Sequence, residues 1–228
     1  INFSLSERIM NTFNKPTLVT ITAPTCSGKN YLINTLEGRA GFSKIISTTT
    51  RALRTGEKHG KDYVFKTKSE FNRLEADDAF IEVNSFCGEK YGVQRKELAT
   101  KLANGQTPVI ILEPAGVEEY RFICKNYNLD IFTVYVSAVE SLRIERLLRR
   151  SLLNVGAGQN TESTVKDHMT RYAAIIGEER RWSNTNVWDA IIPGDNIEEA
   201  VRMINQGITW RNQRNATTVT SRLNSFVI

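Results

Sequence analysis

Six consecutive residues, Thr25-Cys26-Ser27-Gly28-Lys29-Asn30, join small side chains to a single cation directly behind a β-branched apolar run. Leu18 to Thr22 reads as a buried strand, and Tyr31, Leu32, Thr35 and Leu36 have helical spacing. Strand, small-residue loop, Gly-Lys and helix form a phosphate-binding layout. In it, loop N–H groups and the helix N-terminus wrap polyphosphate oxygens, and Lys29 adds a point charge. The match to G-x-x-x-x-G-K-S/T is imperfect. Ala23 stands where the first Gly belongs, and Asn30 stands where a hydroxyl normally reaches magnesium. The plain alternative is a βα turn that happens to contain Gly-Lys.

A second group lies downstream. Arg51 and Arg54 are three positions apart, beside a Ser/Thr run that starts at Ser47 and ahead of the Tyr63 hydroxyl. Two forked guanidinium groups suit a dianion such as a monophosphate, because each can donate two parallel hydrogen bonds. The alternative is a solvated charged turn. Arg150 and Arg171 fall on two later helical segments, where solvated helix faces are the competing reading. His59 and His168 read as surface residues. Cys26, Cys87 and Cys124 lack metal-ligand spacing, so free thiols in a reducing cytoplasm are expected rather than a zinc site.

The elements that must position these groups follow from periodicity and breakers. Leu5, Ile9 and Phe13 suggest a short amphipathic helix over residues 1–14, ended by Lys15-Pro16. After the first strand–loop–helix, the chain from Lys44 to Ser47 reads as a strand, as do Tyr63-Val64-Phe65 and Phe80 to Val83. Ser69 to Leu74 reads as a capped helix between them. From residue 94 an αβ alternation resumes: helix Lys96–Leu102, strand Val109–Leu112, helix Val117–Asn126, strand Ile131–Val136 and helix Ser141–Arg150. Residues 151–163 are small, polar and Gly-containing, which predicts a mobile loop or lid. Helix Thr164–Trp182, strand Ala190–Ile192 and helix Ile197–Ile204 complete the pattern, and the tail from Gly207 has little to bury.

At 228 residues, 40% hydrophobic and 24% charged, the chain suits one sizeable globular domain. No apolar run approaches a membrane span, and no basic-then-apolar leader opens the chain. Arg211, Arg214 and Arg222 stand in residues 207–228 without an acid, so +3 of the +5 net charge lies there. The remaining +2 is too little to argue for nucleic acid.

The run from Ser47 to Phe65 resembles the monophosphate-binding segment of the guanylate kinase family, roughly S-x-T-T-R-x-x-R-x-G-E-x-x-G-x-D-Y-x-F. Arg51, Arg54, Gly56, Glu57, Gly60, Asp62, Tyr63 and Phe65 carry the likeness. Phe80-Ile81-Glu82, Tyr91-Gly92, Gly116-Val117, Arg146-Leu147 with Arg150, and Arg171 with Ala174 and Glu178 extend it over about residues 17–205. The resemblance implies a three-layer α/β P-loop kinase fold with a parallel core sheet, a mixed-β nucleoside-monophosphate (NMP) insertion and a lid. Its expected bounds are 15–46, 94–148 and 164–206 for the core, 47–93 for the insertion and 149–163 for the lid, with a basic polar tail at 207–228. It further implies transfer of phosphate from ATP, with Mg2+, to a nucleoside or deoxynucleoside monophosphate, (d)GMP first. Lys29 and the N–H groups of Thr25 to Asn30 would cradle ATP, and Arg150 and Arg171 would close on the transferring group. Ser47, Arg51, Arg54, Tyr63 and Tyr91 would hold the acceptor's phosphate, and Glu82 would bond its base.

Three departures stand out. Val93 occupies the position after Tyr-Gly where a hydroxyl normally donates to the guanine carbonyl. The family's Asp-x-Asp strand end survives only as Glu113, with Ile111 at the first position, and Asn30 replaces the magnesium-reaching hydroxyl. Asn30 and Glu113 are therefore weak metal candidates, and Val93 and Glu113 belong to the acceptor site. Two other functions compete: a non-catalytic binding module of the same fold, favoured by Asn30 and Ile111, and a kinase for a modified nucleotide or polynucleotide base, favoured by Val93 and the basic tail. The partners expected are small nucleotides, with no membrane, nucleic acid disfavoured and homodimerisation left open.

Overall fold

The computed structural model describes residues 15–224, apart from 40, 54, 55, 87, 159 and 185–187. The helix expected over 1–14, Arg54 and Cys87 therefore lie outside the described residues. In chain order the elements are β1 (Thr17–Thr22), α1 (Lys29–Glu37), β2 (Phe42–Lys44), β3 (Thr48–Thr49), β4 (Val64–Phe65), α2 (Lys68–Ala76), β5 (Phe80–Phe86) and β6 (Glu89–Gln94). They continue as α3 (Arg95–Ala103), β7 (Thr107–Ile111), α4 (Pro114–Asn126), β8 (Asp130–Ser137), α5 (Glu140–Gly156), α6 (Thr161–Ile176), a 3₁₀ helix (Glu178–Asn184), β9 (Ala190–Pro193) and α7 (Ile197–Asn224).

The core sheet has five strands in the order β2-β7-β1-β8-β9, and a second sheet has four in the order β4-β3-β6-β5. This is the expected α/β class, a parallel core sheet with a mixed sheet inserted. All six positions of β1 are buried, as a central parallel strand requires. It pairs with β8 in parallel from Thr17↔Asp130 to Thr22↔Tyr135. Leu18, Val19, Ile21, Phe132, Val134 and Val136 supply the apolar core there. In the second sheet, β3 and β4 run parallel while β6 is antiparallel to both β3 and β5. Residues Glu37–Ile110 form one compact unit, and the chain on either side of them forms the other.

Several local expectations are corrected. The strand placed at Lys44–Ser47 is instead the link between two short strands, β2 ending at Lys44 and β3 starting at Thr48, where the Ile46 N–H donates to the Glu97 carboxylate at 2.9 Å. Strand β6 went unseen because its Glu-Lys-Tyr-Gly opening is polar and Gly-containing. Gly92 is needed there, since a Cβ would lie 2.9 Å from Phe80 Cδ1 and 2.8 Å from the Glu82 carbonyl.

The loop expected at 151–163 is largely helical. Helix α5 runs on to Gly156, and α6 starts behind an Asn160 cap whose side chain accepts from the Ser163 N–H at 2.9 Å. His168 is not a surface residue. It is half-buried, with Nδ1 2.9 Å from the Ser151 hydroxyl. The tail expected from Gly207 is a continuation of α7 to Asn224. Gly207 lets the helix approach Phe132 so closely that a Cβ would lie 2.2 Å from the ring. Arg211 then reaches Asp189 at 2.7 Å and Asp130 at 3.4 Å.

Candidate active site

The loop between β1 and α1 delivers its residues to one cavity of about 540 Å³. Thr25 to Tyr31 line it together with Arg146, Arg150, Arg171, Gly194 and Asp195. Lys29, Arg150 and Arg171, assigned to chemistry from three separate segments, thus share one site. The Leu32 N–H donates back to the Gly28 carbonyl at 3.1 Å, which opens α1 at the loop and leaves first-turn N–H groups without helical acceptors. Gly28 has φ 101° and Cys26 φ 60°, a left-handed conformation disfavoured for a residue with a side chain. The loop passes so near β9's end that a Cβ on Gly194 would lie 2.3 Å from the Ser27 carbonyl.

Charge in this cavity is positive and partly desolvated. Burial pulls the Lys29 ammonium below its ordinary pKa, and the Glu179 carboxylate opposes that shift. Burial also pushes the Cys26 thiol up, against the pull of Arg150, Arg171 and Arg143. Arg171 is held by Asp167 one turn earlier at 2.8 Å. The Ser27 hydroxyl is buried and has no hydrogen-bond partner among the described residues. A polyphosphate suits this surface: four cations (Lys29, Arg146, Arg150 and Arg171), helix N–H groups and an unsatisfied hydroxyl.

Two residues that bind the loop from behind carried no functional reading from sequence. The Glu179 carboxylate accepts from the Thr25 N–H at 3.0 Å and from the Thr25 hydroxyl at 2.7 Å. Arg143 donates to the same carboxylate and, through Nε, to the Thr25 carbonyl at 2.9 Å. Arg146 donates to the Cys26 carbonyl at 3.2 Å. Of the Thr25–Asn30 group expected to cradle phosphate by N–H, Thr25 and Ser27 have their N–H engaged by protein, Thr25 by Glu179 and Ser27 by the Pro24 carbonyl at 3.2 Å. The available signal was an arginine at a core position: Arg143 and Leu147 are the two buried residues of α5, one turn apart.

The unit formed by Glu37–Ile110 carries the second group. Arg51 meets Glu57 through two hydrogen bonds and stacks over the rings of Tyr63 at 5.4 Å and Phe65 at 5.6 Å. Hydrogen bonding to Glu57, more than any other influence, raises the Arg51 pKa, and Tyr91 adds to it. Tyr63 and Tyr91 meet edge to face at 6.0 Å. Ser47 adjoins them, its carbonyl accepting from the Val64 N–H at 2.9 Å. On the β5–β6 ribbon, Glu82 stands opposite Val93 and accepts from the Asn84 amide at 2.8 Å. Val93 is buried and offers no polar atom.

Glu113 belongs to the other unit, as the exposed residue preceding α4, and its charge acts on Lys29. Among the described residues no three His, Cys, Asp or Glu side chains gather as a metal cage. Magnesium does not require one. It keeps water and takes phosphate oxygens, so a carboxamide on the loop (Asn30) and one carboxylate are a compatible donor set.

A phosphate-binding loop between the first strand and first helix of a parallel sheet, with Lys29 and three arginines on one cavity, defines a P-loop phosphotransferase class of protein. Comparison with known proteins narrows this. The sequence matches the guanylate kinase family over residues 15–210, and the chain belongs to that family. It is 30% identical over 191 residues to the guanylate kinase of Clostridium acetobutylicum, covering 84% of each chain. It is 28% identical over 208 residues to that of Schizosaccharomyces pombe, covering 90% of this chain and 95% of the relative. In fold it resembles the crystal structure of guanylate kinase from Anaplasma phagocytophilum, with a TM-score of 0.57, 22% identity and 87% of each chain covered.

Proposed function

We propose that the protein transfers the γ-phosphoryl group of ATP to a guanine nucleoside monophosphate, GMP or dGMP, giving ADP and the diphosphate. The observation that carries the donor half is the shared cavity of Lys29, Arg150 and Arg171 around the loop. An oxygen of the acceptor's phosphate attacks the γ-phosphorus, and the bond to the β–γ bridging oxygen breaks. Such transfer needs positioning and charge neutralisation rather than a protein nucleophile, which is the inventory present. Lys29 and the loop N–H groups of Cys26 and of Gly28 to Asn30 hold the donor's phosphates, and Arg150 and Arg171 neutralise charge on the moving group. Arg51, Arg54, Ser47, Tyr63 and Tyr91 hold the acceptor's phosphate, and Glu82 reads its base. Asn30 and Glu113 would hold Mg2+, which would supply further charge neutralisation for the donor's phosphates. A reducing, cytoplasmic setting suits the free thiols Cys26 and Cys124.

The test is an ADP-release assay across the common NMPs and dNMPs. Turnover greatest with GMP or dGMP supports the proposal, and no turnover of any acceptor by folded protein overturns it. Asn30 motivates a second reading, a module that binds without turnover. ATP binding that is lost in Lys29→Ala, together with turnover, excludes that module.

A further inference from the structure

We infer that Glu179 and Arg143 form a buried clamp that sets the phosphate loop in its binding shape before the donor nucleotide arrives. They act as positioning residues, and the inference rests on the reading that this loop receives the donor's phosphates. Thr25 is held at three atoms: its N–H and hydroxyl by Glu179, and its carbonyl by Arg143 Nε at 2.9 Å. The next carbonyl, that of Cys26, is held by Arg146 at 3.2 Å. Glu179 and Arg143 are 6% and 4% exposed, so this is interior structure rather than a solvated contact.

The geometry matters because a trans peptide points its C=O and N–H in opposite directions. Fixing the Thr25 carbonyl toward Arg143 turns the Cys26 N–H away from the clamp. Fixing both carbonyls also brackets Cys26, whose φ of 60° would otherwise relax. Disfavoured conformations of this kind persist where surrounding contacts over-determine them.

A buried ion pair is poor evidence of stabilisation by itself, since apolar residues of similar volume fill such space as well or better. Apolar residues could not, however, grip peptide groups. The pairing also removes an electrostatic conflict. A lone carboxylate beside the loop would repel phosphate, whereas the Arg143-paired carboxylate leaves the clamp neutral. It still bears on Lys29. Burial lowers that ammonium's pKa first, Glu179 raises it most, Glu113 and Cys26 raise it further, and Arg171 lowers it.

Three variants test the clamp: Glu179→Gln, Thr25→Val and Thr25→Ser. Thr25→Val keeps the shape and the ion pair but removes one hydroxyl bond. In steady-state assays, Glu179→Gln is expected to raise the KM for ATP by about tenfold or more, with the acceptor's KM within about twofold of the unsubstituted value. Thr25→Val should raise the ATP KM roughly threefold to tenfold, and Thr25→Ser should restore it. If Glu179→Gln does not fold, Thr25→Val and its Ser rescue decide the matter alone. A lowered melting temperature with unchanged ATP KM, and no effect of Thr25→Val on that KM, would make the pair purely structural and overturn the inference. Inactive unsubstituted protein overturns the functional reading and this one together, while active unsubstituted protein with indifferent variants overturns the clamp alone.

Discussion

Arg51 and Glu57 meet in a two-bond fork, Nη2 to Oε1 at 2.8 Å and Nη1 to Oε2 at 3.0 Å, with the guanidinium stacked over Tyr63 and Phe65. Six residues apart and largely shielded from water, the pair fixes the guanidinium plane without any ligand. It thereby pre-orients the cation that the proposal assigns to the acceptor's phosphate.

Arg51→Lys keeps the charge and loses the fork and the stacking plane. We expect the acceptor's KM to rise about 10- to 100-fold at saturating ATP, with a smaller change in kcat. Glu57→Gln keeps one acceptor oxygen, so its effect on the same KM should be smaller and in the same direction.

Gly194→Ala tests how closely β9's end supports the loop. The added Cβ would lie 2.3 Å from the Ser27 carbonyl and 3.1 Å from that of Ser137, both rigid backbone atoms. The loop must shift, at a cost of about 1–3 kcal/mol in unfolding free energy. ATP binding by titration should weaken about tenfold or more, while the acceptor-side variants above behave as they do in the unsubstituted background.

Val93→Thr restores a hydroxyl at the position where the family resemblance expects one to reach the guanine carbonyl. Val93 is 1% exposed, so in the ligand-free protein the hydroxyl is buried and costs about 1–3 kcal/mol. With GMP present that loss should be recovered, and the KM for GMP should fall by about one decade. Thermal melts with and without GMP, alongside kinetics, read both effects.

Helix α2 carries a complete capping box. The Thr67 hydroxyl accepts from the Glu70 N–H at 3.2 Å, and the Glu70 carboxylate accepts from the Thr67 N–H at 2.9 Å. Thr67→Ala should cost about 1 kcal/mol by denaturant unfolding. Hydrogen bonding from the Thr67 N–H, then from Lys66 and the Thr67 hydroxyl, lowers the Glu70 carboxyl from 4.5 to about 2. A depressed folded-state pKa means the contribution is complete above pH 4.5 and disappears as pH falls toward 2. Glu70→Gln should therefore flatten the stability–pH curve within that window and leave its slope near neutrality unchanged.

The two candidate binding groups were legible because each is written in a contiguous stretch. Thr25 to Asn30 sit between a buried strand and a helix start, and Ser47 to Phe65 hold their arginines, tyrosine and turn glycines in one run. The α/β alternation was legible for the same reason, since periodicity is local. Less could be read where composition misled. Small polar residues at 151–163 suggested a loop, yet helix-compatible Leu152, Leu153 and Val155 and the Asn160 cap make most of it helix.

By itself, then, the sequence determined the strand–loop–helix, the arginine segment with its Glu57 partner nearby, and the family to which the chain belongs. Tertiary structure alone decided that Glu179 and Arg143, 154 and 118 residues from Thr25, grip the loop. It likewise decided that Gly207 and Arg211 dock the middle of α7 on Phe132 and Asp189. The physical reason is the range of the interaction. Hydrophobic periodicity, caps and turn chemistry act within a few residues and leave local patterns. Which buried charge meets which backbone group depends on elements that become neighbours only when the sheet and its helices have packed.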